Sequence, residues 1–187
     1  MAIVVSALSQ GLLWSVLAVG VYLSYRFLNI SDLTSEGSFT LGAAVCASNI
    51  VRGMDPLLSC ILALIAGALP GLVTGVLHTK FKMPSLLAGI LSMTGLYSIN
   101  LRIMGKANIP LTQSVTLLTK LKNIFGLARD RDGAIYLGLI VVVILIILLV
   151  WFFNTEFGFS VVATGNNDKM IRANGVDSDK TIIAGLM

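Results

Sequence analysis

The chain has 187 residues, a formal net charge of +4, 56% hydrophobic residues and only 12% charged ones, where soluble domains carry about 25%. With a mean hydropathy of +0.92 and several long apolar runs, that balance excludes an ordinary soluble domain and predicts an all-α polytopic membrane bundle. The basic residues are scattered along the chain, as in membrane loops, and not gathered into a nucleic-acid-binding patch.

Residues 3–25 read as the first span, about 35 Å long as a helix. Ala7, Gly11 and Ser15 give it one small face, and Tyr22 and Tyr25 lie near its end, where interfacial aromatics sit. No basic n-region precedes it, so it is read as a retained span and not a signal peptide. In the segment 26–37, Asp32 and Glu36 lie four residues apart. At the start of a following helix such acids cap or meet the helix dipole; inside a bundle they would mark a pathway, together with Gly37. Residues 38–51 are apolar but reach only about 21 Å. They form either a re-entrant or broken helix, or a span sheltered by its neighbours. Gly42 and the alanines beside it keep this segment small-sided.

Residues 56–77 form the next span, opened by Pro56 at a position suited to the first turn. Ala63, Gly67, Gly71 and Gly75 recur every four residues. They make a bare ridge that serves either as a packing seam or as the lining of a path, and Pro70 inside it predicts a kink. A basic turn follows at 78–84, with the sole histidine, His78, read as solvated. Residues 85–103 are a span with Ser92 and Thr94 available to bond the backbone or a neighbour, and with Arg102 snorkelling at its end. In the connector 104–133, the spacing of Leu117, Leu118, Leu121, Ile124 and Phe125 predicts a short amphipathic helix on the membrane, and Arg129–Gly133 reads as a solvated turn. Residues 134–153 are the strongest span, anchored by Tyr136 and Trp151. From Thr181 a further apolar run begins and reaches only seven residues, so the chain is expected to be a fragment whose missing part holds more spans. That gives about five spans plus the start of a sixth.

Chemistry is sparse. Cys46 and Cys60 lie in apolar runs and read as small buried hydrophobes. There is no metal-ligand spacing, no nucleophile–base set and no phosphate loop. The spans 57–77, 85–101 and 134–153 contain no Asp, Glu, Lys or Arg, which argues against an ion-coupled relay.

The polar stretch 157–180 stands out between two apolar runs. Asn166, Asn167 or Asp168 can cap a short helix, and Gly175 sits where a left-handed residue would end it. Met170, Ile171 and Ala173 offer apolar contacts, and Lys169 and Arg172, three apart, share a side. The product is a small knob with apolar and basic faces, held between two spans.

The wording of this stretch resembles the cytoplasmic coupling loop of ABC-importer permeases of the branched-chain amino acid and ribose type. Ala163, Gly165 and Asn167 stand for the first half of the family pattern, Ala173, Gly175 and Val176 for the second, and Thr164 and Asn166 fill variable positions. The family's first-half arginine is replaced by Val162. Residues 29–44 and 101–111 resemble the same permeases, in a subgroup associated with amino-acid, often aromatic-amino-acid, binding proteins. The resemblance implies a multi-pass permease of the bacterial plasma membrane that carries no catalytic residues and binds no cofactor itself. ATP and Mg belong to a separate ATPase chain that docks on 163–176, an extracytoplasmic substrate-binding protein delivers the solute, and a second permease copy, identical or not, completes the pore within the lipid. It also places 26–37 and 78–84 inside and 52–55 and 104–133 outside. The distribution of Lys and Arg is silent on that point. The other readings are a stand-alone secondary transporter or channel, or an inactive truncated permease.

Overall fold

The computed structural model describes residues 2–111, 116, 117, 119 and 130–187. Eight helices are set out among them. α1 spans Ala2–Leu28, α2 Thr34–Val51, α3 Pro56–Thr79, α4 Ser85–Met104, α5 Asp130–Phe153, α6 Glu156–Asn166, α7 Asp168–Ala173 and α8 Ser178–Leu186. Four of them contain stretches long and apolar enough to cross a membrane: Ser6–Leu28, Pro56–Thr79, Ser85–Met104 and Gly133–Phe153. The chain is an all-α multi-pass membrane protein. Apart from Leu117 and Thr119, the amphipathic helix expected at 117–125 lies outside the described residues.

α2 is a single helix that starts at Thr34, four residues before the apolar run. Its 18 residues extend about 27 Å. It begins beside α3 and α4, where Thr34 meets Thr74, and it ends at the opposite side of the bundle. There the Ser48 hydroxyl donates to the Ile103 carbonyl at 3.2 Å, and Arg52 shares a cleft with Lys106. It therefore does not turn back, and the re-entrant reading of 38–51 is corrected. The first, polar turn had hidden its length. Two ends of the bundle follow. One gathers the end of α1, the α3–α4 turn and α6–α8; the other holds the α2–α3 turn and the segment after α4.

A second correction concerns 130–133, expected as a turn. α5 already begins at Asp130. Pro56 does open α3, behind an Asp55 cap whose carboxylate accepts from the Leu57 N–H at 3.0 Å. The helix runs on through Pro70 to Thr79.

The bundle is apolar outside and polar within, as lipid requires: side chains such as Leu64 and Ile147 are exposed, while Thr34, Ser59 and Thr74 are at most 1% exposed. At its centre the Thr34 and Thr74 hydroxyls are 2.7 Å apart, and Thr74 donates to Ser92 at 2.7 Å. One chain of hydroxyls thus joins α2, α3 and α4. Thr74→Val breaks both links while keeping the volume. It is expected to cost about 1 kcal/mol, the range of interhelical hydrogen bonds in membranes, read as a lower midpoint of thermal unfolding in detergent, whereas Thr74→Ser keeps the wild-type midpoint. Cys46 and Cys60 are free and half-buried on α2 and α3, with their sulfurs 3.8 Å apart.

The glycine ridge of α3 is a seam. A Cβ on Gly71 would run into the Leu186 carbonyl, and one on Gly75 would sit 2.9 Å from the Ile183 Cα. α8 occupies that face, so these two positions do not line an open path. Gly67 meets the Ser38 carbonyl in ordinary contact. Gly37 and Gly42 close α2 against Leu96 and the Ala63 carbonyl.

Candidate functional site

The segment 157–180 is not one loop. Its first part is α6, started by the Thr155 hydroxyl, which accepts from the Gly158 N–H at 3.2 Å. α6 is amphipathic, and it buries Val161 and Thr164 against the ends of α1 and α8 in a small core with Leu28, Ile30 and Leu186. Gly165 faces α1 so closely that any Cβ would strike the Phe27 carbonyl. Asn29, in the left-handed conformation at φ 53° that asparagine tolerates, ends α1 and donates its side-chain amide to the Gly165 carbonyl at 2.9 Å.

Asn167 then turns the chain. Its backbone is extended, with φ −156° and ψ 91°; it ends α6, and its Oδ1 accepts from the Met170 N–H at 3.1 Å to start α7. α7 has six residues, none of them buried, and Met170 is 61% exposed. Its end is a Schellman motif: the Gly175 N–H donates to the Arg172 carbonyl and the Val176 N–H to the Ile171 carbonyl. Gly175 has φ 83°, the conformation that favours glycine. Asp177 caps α8 through the Lys180 N–H at 3.4 Å and pairs with the Lys180 ammonium at 3.1 Å. The Lys180 side chain, and then its backbone N–H, hold the Asp177 carboxyl below the ordinary range.

Arg172 bonds Asp168 through Nε at 3.2 Å and Asp179 through Nη2 at 2.5 Å. Asp179, then Asp168, raise its already high pKa. Among the described residues Lys169 makes no ion pair, so the knob presents Lys169 and Met170 outward while Arg172 is spent internally.

The residues singled out in the sequence thus divide. Ala163, Thr164 and Gly165 lie in α6, where Thr164 is buried and the half-buried Gly165 is pressed on the end of α1. Asn166, Lys169, Met170 and Ala173 are exposed. Asn167, Gly175 and Val176 form the two ends of the knob. Asp32 and Glu36 do not act together. Asp32 is buried, with its carboxylate accepting from the Thr34 N–H at 2.8 Å and from the Ser35 hydroxyl at 3.2 Å, whereas Glu36 is exposed. The cap reading fits Asp32. Sequence reasoning missed Asn29, whose only signal is its place directly after a long apolar run. It also missed Asp179, which carries no local signal at all. No cluster of metal-ligating side chains occurs among the described residues.

A model of branched-chain amino acid transport system permease components matches residues 3–187. A tyrosine transport system permease protein of Clostridioides difficile (strain R20291) is 40% identical over 98% of this chain and 59% of its own length. An uncharacterised protein of Rickettsia prowazekii (strain Madrid E) is 42% identical over 64% of this chain and 42% of its own. A fructose import permease protein of Rhizobium meliloti is 26% identical over 81% and 44%. The chain therefore spans between 42% and 59% of the length of these relatives. No solved structure matches it.

Proposed function

Because this chain belongs to the family of branched-chain amino acid transport system permease components, we propose that it forms part of the membrane pore of an ATP-driven ABC importer. The knob 167–175 docks on a separate ATPase, which holds ATP and Mg. A second permease copy completes the pore, and an extracytoplasmic binding protein delivers the solute to the opposite face. ATP binding and hydrolysis then switch the pore between outward- and inward-facing states. The membrane is the bacterial plasma membrane, with the end that carries α6–α8 in the cytoplasm. The tyrosine permease among the relatives favours an amino acid, aromatic above others, as solute; a sugar comes second, on the more distant fructose permease.

The observation that supports this best is α7 itself. Six residues are shaped by a side-chain cap at one end and a Schellman motif at the other, yet none is buried. A helix this short is not stable on its own account, and a sequence that defines both its ends while burying none of it has built a surface for something else. The test uses the full-length protein solubilised from membranes, with 167–175 intact or replaced by a Gly/Ser linker. The intact form is expected to bring down an ATPase and the linker form to lose it. Equal recovery of the ATPase by both forms, or by neither, removes the reading.

A further inference from the structure

α7 is carried on the bundle by few non-covalent ties. It buries none of its residues, and the backbone on either side of it turns sharply, at Asn167 and at Gly175. Such a knob could swing on its two turns. Among the described residues, one acidic side chain pairs with both it and the end of a membrane helix. Asp179, in the first turn of α8, binds Arg172 of α7 through Oδ1 at 2.5 Å and faces Lys80, at the end of α3, through Oδ2 at 3.8 Å. Its side chain is 21% exposed, against 52% for Arg172 and 66% for Lys80, so it is the most sheltered of the three and the one they share. Asp168 holds the other edge of the guanidinium, which fixes the plane of Arg172. Beyond this joint α8 lies on the bare face of α3 at Gly71 and Gly75, backbone against backbone. Thr74, between those glycines, links α3 by hydroxyl contacts to Thr34 and Ser92.

We propose that Asp179 is the joint that fixes the knob's orientation on the membrane bundle, pairing with Arg172 of α7 and with Lys80, the residue that caps the end of α3, through one carboxylate so that knob, α8 and α3 move as one piece. Arg172 is then a positioning residue and not part of the docking face, which is left to Lys169 and Met170. An exposed ion pair alone contributes little; here it acts by selecting one orientation of an element that has few other ties. The link to ATP turnover rests on the proposed function, whereas the fixed orientation does not.

The experiment places spin labels on the full-length protein at Ala173→Cys and Phe81→Cys, both exposed sites, with Cys46 and Cys60 replaced by alanine, and reads the distance distribution between the labels. Asp179→Asn and Arg172→Gln are each expected to broaden it at least about twofold. The double variant should be no broader than the worse single one, since both remove the same link, and Lys169→Gln should leave the width unchanged. In the complex with the co-purified ATPase, Asp179→Asn and Arg172→Gln should each lower ATP turnover about fivefold without adding in the double variant. Widths unchanged by Asp179→Asn, or effects that add in the double variant, overturn the joint; broadened labels with unaltered turnover overturn its role in coupling. Should no ATPase accompany the wild-type chain, the proposed function falls, and the label widths alone uphold or overturn the joint.

Discussion

Gly165→Val leaves a protein that accumulates in the membrane several-fold less than wild type and, in detergent, unfolds about 2–12 °C lower. The reason is geometric. The position has no room for a Cβ, because the atom in its way is the Phe27 backbone carbonyl, with the Leu28 Cα 2.8 Å from the same point. A flexible side chain could swing aside; a backbone cannot. The α6 helix must therefore lift from α1, and the Asn29 amide loses the Gly165 carbonyl that it now reaches at 2.9 Å. Val161 and Leu186, packed in the small core at this end, are loosened at the same time. Overpacking of this kind costs about 1–3 kcal/mol, and here it acts where the knob is attached. Gly20→Ala is the control, since a Cβ there meets nothing within 4 Å. Alanine favours a helix over glycine by about 0.8–1.0 kcal/mol, so that variant should be at least as stable as wild type. Equal stability of Gly165→Val and wild type would disprove the close approach of α6 to α1.

What could be read from the sequence follows the range of the interactions. Caps are local: Asn167, Gly175 and Asp55–Pro56 act within a few residues of themselves, and those residue types at those spacings announce them. Long apolar runs announce spans for the same reason. α6 was hidden because Thr164, Gly165 and Asn166 are poor helix formers, and only their packing against α1, more than 130 residues earlier in the chain (Asn29 to Gly165), keeps them helical. The hydroxyl chain was hidden in another way. A Ser or Thr in an apolar helix can satisfy itself on its own backbone, as Thr79 does with Gly75 and Thr94 with Ile90. Nothing local distinguishes these from Thr74, whose partners lie 40 and 18 residues away. Arg172 gave the opposite error: its spacing from Lys169 suggested a shared basic face, but its partner Asp179 sits on the next helix.

If α7 docks on an ATPase as proposed, Met170→Glu should abolish that docking while leaving the knob folded, and the two effects have separate causes. Asn167 is the cap of α7, which makes Met170 the third residue of the helix. A glutamate there leaves the cap intact, because Asn167 Oδ1 takes the backbone N–H of residue 170, and its charge suits the N-terminal end of the helix dipole. Because Met170 is 61% exposed, no packing is lost. The folded chain should therefore be as stable as wild type, with an unchanged unfolding midpoint. Docking is different. If Met170 is the apolar contact of the knob, the substitution buries a carboxylate without a partner, at a cost of about 2–5 kcal/mol, and so weakens ATPase binding at least about 30-fold. Met170→Gln retains the cap and carries no charge, so it should bind between the two. The measurement is the amount of ATPase retained on the solubilised full-length protein across a dilution series. Retention equal to wild type by Met170→Glu would show that α7 is not the docking surface, even though both its ends are so firmly specified.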